Sequence, residues 1–137
     1  MKIMHQKKQY KIDEALDYIA SHSAERERPI LVAVCGMPNS GKAFFQFRAR
    51  ERFPNTGITA SHDTAHAYET VQSLDYLFIH AACVSSPNEV SEQTRKYVGK
   101  DIDFNIYIYN PQRNNVDIER LLDEFDLVIP NPQAKVK

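Results

Sequence analysis

Residues 30–35, Ile-Leu-Val-Ala-Val-Cys, form an unbroken apolar run directly after Pro29. The run is too short for a buried helix and leaves no polar face for water, so it reads as a strand covered on both sides, as inside a parallel sheet. Such a strand needs helices above and below it. The rest of the chain supplies them, because its hydrophobic period switches regularly between that of a helix and that of a strand. Residues 11–23 place Ile12, Ala15, Leu16 and Ile19 at helical spacing, and the charged run Glu25-Arg26-Glu27-Arg28 then reads as a solvated connection. Residues 43–53, with Phe44, Phe45 and Phe47, predict a helix stopped by Pro54 and Gly57, followed by a short strand at 58–61. From Thr64 onward, Ala67, Tyr68, Val71 and Leu74 share a helical face, and residues 76–84 form a second strongly apolar strand.

The next helix starts with Ser86 as N-cap, Pro87 in its first position and Glu89 completing a capping box, and Gly99 ends it. Residues 104–109 are the fourth strand, Ile118, Leu121, Leu122 and Phe125 follow the amphipathic-helix template, and residues 126–129 close the series. Five strands with no tight hairpin between them imply right-handed crossovers. The expected fold is therefore α/β, in three layers: a five-stranded parallel sheet with helices on both faces. Sheets of this kind bind ligands at the carboxyl ends of their strands.

At 137 residues the chain makes one domain, with residues 1–28 as a leading helix and connection. Seventeen basic residues against eighteen acidic ones give a net charge of −1, so no global field holds nucleic acid or an anionic membrane. Any anion site must be local. The first ten residues lack the apolar core of a signal peptide, and no apolar run approaches the ~20 residues that span a bilayer. A cytoplasmic protein is expected. The two cysteines, Cys35 and Cys83, have no metal-binding spacing and read as buried free thiols.

Between the first strand and the first helix after it lies Gly36-Met37-Pro38-Asn39-Ser40-Gly41-Lys42-Ala43, a G-x-x-x-x-G-K pattern in its proper strand-loop-helix context. Two glycines let the backbone wrap so that successive N–H groups point inward, and the positive end of the following helix adds attraction for an anion. Lys42 supplies a full charge for the terminal phosphates. The candidate binding residues are thus Gly36, Pro38, Asn39, Ser40, Gly41, Lys42 and Ala43.

On these residues the chain resembles the P-loop nucleoside triphosphate-binding superfamily from residue 29 to about residue 131, and within it the small nucleoside and nucleotide kinases. The resemblance implies ATP or another nucleoside triphosphate as ligand. It also implies transfer of the terminal phosphoryl group to a small acceptor, with Lys42 neutralising charge and Asp63, after the second strand, near the acceptor. Two positions depart from the pattern, and both bear on magnesium. Ala43 stands where a Ser or Thr hydroxyl is usual, and His80 follows Tyr76-Leu77-Phe78-Ile79 where an acid is usual. A neutral imidazole is a poor magnesium ligand. The alternative from a different class is a catalytically degenerate module that keeps the fold for nucleotide sensing or protein assembly, with a protein partner in place of an acceptor. A third is a loop that holds only free phosphate. Pro38-Asn39-Ser40 is also similar to the loop of small GTPases, but Asn110-Pro111-Gln112-Arg113 lacks the lysine and aspartate of their guanine-reading motif.

Other residues carry weaker signals. Asp63 is either a general base or the N-cap of the helix beside it. His62 and His66 flank it with no acid or cysteine cluster to make a metal site, and none is expected. Arg48 and Arg52 stack like charge four residues apart and read as a solvated outer face, or as a face that meets an acidic or anionic partner, for which Asp117, Glu119, Asp123, Glu124 and Asp126 are candidates within the monomer or between subunits. Tyr107 and Tyr109 alternate with Ile106 and Ile108 and are expected on the other face of the sheet.

Overall fold

The apolar run forms strand β1 (Ile30–Gly36), and every residue in it is buried. In the computed structural model, which describes residues 9–36, 40–60, 74–82, 101–112 and 115–131, β1 is the middle strand of a five-stranded sheet. The elements in chain order are α1 (Ile12–His22), β1, α2 (Lys42–Arg52), β2 (Thr56–Ala60), β3 (Tyr76–Ala82), β4 (Phe104–Tyr109), α3 (Ile118–Glu124) and β5 (Leu127–Pro130). The strand order is β2-β3-β1-β4-β5 and every pairing is parallel.

Alternation along β1 divides the core in two. Ile30, Val32 and Val34 face α1 and α2 and pack with Leu16, Ile19, Phe45 and Ala49. Leu31, Ala33 and Cys35 face the opposite way and pack with Leu121 and Phe125. Because both faces of β1 are filled, the helices must lie on both sides of the sheet, as the unbroken apolar run requires. Tyr107 and Tyr109 lie on the α3 face, and the Tyr107 ring sits 5.1 Å from that of Phe125.

Element ends moved where side chains override pattern. Strand β2 begins at Thr56 rather than residue 58, because Thr56 and Gly57 already pair with Tyr76 and Leu77. Strand β5 begins at Leu127, since the Asp126 carboxylate accepts from Asn105 N–H at 2.7 Å and anchors the strand's entry. The helices expected from Thr64 and over residues 86–99 lie outside the described residues, as do Cys83 and Asp63.

Residues 25–28 are exposed, as expected of a solvated connection. The connection at residues 25–28 is tied down: Arg26 donates to the Asp103 carboxylate at 3.3 Å and to His22 O at 2.8 Å, and lies 4.6 Å above the Phe104 ring. Asp103 in turn accepts from Leu31 N–H at 2.8 Å, so one carboxylate joins the start of β1 to the start of β4. Arg48 and Arg52 pair with Asp13 and Asp17 of α1, each at 2.8 Å. Both pairs repeat at a four-residue spacing, so matching ridges of two helices on the same face meet charge to charge. The acids on and around α3, the helix of the other face, are exposed and do not supply these partners.

These ion pairs are exposed and contribute little compared with the core beneath them. Equilibrium urea unfolding is expected to show a loss of about 3–5 kcal/mol for Phe45→Ala, from transfer and cavity terms. Arg52→Ala is expected to cost less than about 1 kcal/mol.

Candidate functional site

Strand β1 ends against β4. A Cβ placed on Gly36 would lie 2.2 Å from Ile108 O and 3.0 Å from Ser40 Oγ, and the Gly36 φ of +151° is one that side chains rarely tolerate. Only glycine lets the chain leave the sheet here. Gly41, just before α2, has φ +101° and ψ 18°, so a second glycine turns the chain left-handed into the helix. The N–H groups of a helix's first turn lie outside its own ladder and point out of its N-terminus.

Lys42 opens α2, yet its side chain is not extended to solvent. It is only 4% exposed, and Nζ donates to Gly36 O at 3.1 Å. The ammonium therefore sits over the carboxyl end of the central strand. The Ser40 hydroxyl, fully buried, packs over Gly36 and has no hydrogen-bond partner among the described groups. Asn131, directly after β5, reaches across: its Nδ2 donates to Ser40 O at 3.3 Å, and its N–H donates to Tyr109 O at 2.8 Å. Gly36, Ser40, Gly41 and Lys42 thus lie close together at the end of β1, with Ala43 exposed beside them. Pro38, Asn39 and Asp63 lie outside the described residues.

The topology puts this cluster where a ligand crevice belongs. The chain leaves β1 towards the β2 edge of the sheet and leaves β4 towards the β5 edge, so the order switches between β1 and β4. Gly36 and the buried Asn110, which follows β4, mark the ends of those two strands.

His80, on β3, stands beside Val34 of β1 and faces α2. Its Nδ1 lies 3.0 Å from Gln46 Oε1. An amide oxygen only accepts, so Nδ1 carries the proton of the neutral ring and Nε2 keeps a lone pair. Burial, and then the nearby Lys42 charge, hold the His80 pKa below the ordinary histidine value. Gln46 was not legible as a site residue. Its one signal is its position, four residues after Lys42, which places both on the same side of α2. It is 3% exposed, and its Nε2 finds no partner among the described groups.

These residues do not fit the magnesium ion that the loop's resemblance implies. Ala43 offers no oxygen, and the His80 imidazole is committed to Gln46 through Nδ1. Among the described residues no three His, Cys, Asp or Glu side chains gather as a metal-holding group.

A histidine whose folded pKa is depressed stabilises the fold above its unfolded pKa, about 6.5, and that contribution is lost as pH falls through the lower folded value. Thermal melts are accordingly expected to show stability falling as pH drops below about 6.5, with a shallower fall in His80→Gln. Equal slopes in the two proteins contradict a partly buried, neutral His80. No protein-family model matches this sequence, and no curated protein is significantly similar to it.

Proposed function

We propose that the protein binds the phosphate end of a nucleotide, ATP or a related nucleoside triphosphate, at residues 36–42. The observation that carries this reading is Lys42, a buried ammonium resting on Gly36 O at the carboxyl end of the central strand. A lysine that ends a chain turn between two glycines, beside a helix N-terminus, presents charge and main-chain donors to the same small volume.

The same residues favour a binding module over a phosphotransferase. Phosphoryl transfer depends almost entirely on positioning and charge stabilisation, much of it through metal ions bridging the phosphates. With Ala43 and His80 at the two expected metal positions, the described part of the site keeps the anion cradle without the oxygens that serve magnesium. Nucleotide sensing or nucleotide-dependent assembly with a protein partner matches that composition.

Calorimetric titration with ATP and GTP, with and without Mg²⁺, tests both statements. Binding that persists in EDTA, with no phosphate release or transfer, is the expected result. Magnesium-stimulated transfer to a nucleoside or sugar supports a kinase instead, and no binding of either nucleotide overturns the proposal. Lys42→Ala should weaken binding roughly 10- to 100-fold, the worth of a charge-assisted contact, while leaving the ligand-free melting temperature unchanged. Ala43→Thr should gain affinity only when Mg²⁺ is present, because threonine restores one oxygen of the metal shell.

A further inference from the structure

We infer that nucleotide binding at this loop is coupled to uptake of one proton by His80, whose imidazolium, oriented by Gln46, acts as the second cation at the phosphates in place of a metal. The inference rests on the proposed binding of phosphate by the loop and specifies its ligand: a nucleoside di- or triphosphate free of divalent cation.

Three observations converge on it. Lys42 and Gln46 lie one helical turn apart on α2, so the ammonium and the amide share one side of that helix. The Gln46 oxygen fixes the His80 ring through Nδ1, which leaves Nε2 as the atom able to take a proton. The Gln46 Nε2 and the Ser40 hydroxyl are buried and without partners among the described groups, and buried polar groups of this kind normally meet a ligand, water or ion. An anion seated against Lys42 would satisfy groups that the free protein leaves unmet.

The charges around His80 set the direction of the coupling. Helix α2 presents Lys42 and Gln46, while β1 and β2 place Val34 and Ala60 in register with it. Among these neighbours there is no acid to hold a proton on the ring, and Lys42 opposes one. The ring is therefore neutral in the free protein. A polyphosphate reverses the sign of the local field: it neutralises Lys42 and brings excess negative charge, so a proton added at Nε2 becomes favourable and Nε2–H becomes a donor. Aspartate at this position could not do this, since it would repel a phosphate unless a cation stood between them.

The test is titration of ADP in EDTA at pH 7.5, in buffers of different ionisation enthalpy, which reads the protons taken up per site. Wild-type protein is expected to take up close to one more proton than His80→Gln, a difference in which the ionisation of ADP itself cancels. Affinity of the wild type should fall as pH rises from 6.5 to 8.5, by up to about tenfold per pH unit, and that of His80→Gln should stay nearly flat by comparison. Should the variant fail to fold, the wild-type imidazole ¹⁵N resonances serve instead, moving from the neutral to the doubly protonated pattern when ADP is added. Binding with equal proton uptake in both proteins, or with a neutral ring in the complex, overturns the coupling but leaves the loop as a phosphate site. If wild-type protein and Lys42→Ala are equally unable to bind ADP, both fall together.

Discussion

The passage of β1 against β4 at Gly36 leaves no room for a side chain, because a Cβ there would collide with Ile108 O. That closeness determines where the following loop can go. The chain leaves β1 at Gly36, and Gly41, in a left-handed conformation, leads into α2 so that Lys42 begins the helix. The ammonium donates to the carbonyl of Gly36 itself. The strand order places the switch between β1 and β4, the position at which sheets of this kind bind ligands.

The architecture was legible because burial on both faces leaves a mark in sequence. Six consecutive apolar residues after Pro29 admit only a central strand, and the alternation of Tyr107 and Tyr109 with Ile106 and Ile108 correctly assigns each pair to its face. Strand and helix limits were less legible where a polar side chain decides them, as Asp126 does in anchoring the entry to β5. The partners of Arg48 and Arg52 were not legible for a related reason. Charge counts do not record which helices share a face, and α1 rather than α3 lies beside α2. Asp103 escaped notice because a lone acid before a strand has no pattern, yet its carboxylate joins Leu31 N–H to the Arg26 guanidinium.

The site shows the same division. Its glycines and lysine form a spacing that can be recognised without a structure, since backbone geometry and the reach of a lysine dictate it. Gln46 has no such spacing rule. Its role depends on His80 lying across from it on β3, a juxtaposition that only the parallel crossover creates. Where a metal-ligating pattern would place an oxygen and an acid, this chain has a methyl group and an imidazole. Partial burial and the neighbouring ammonium both favour the neutral form of the His80 ring.

The central claim is that main-chain donors at the start of α2 and the Lys42 ammonium together receive phosphate. Amide chemical-shift mapping during titration with inorganic pyrophosphate addresses it most directly. The account predicts that the largest and saturable shifts fall on Gly36, Ser40, Gly41, Lys42 and the Asn131 side-chain amide, while amides of α1 and α3 stay still. Shifts spread over the exposed arginines of α2, or none at the glycines, would contradict it.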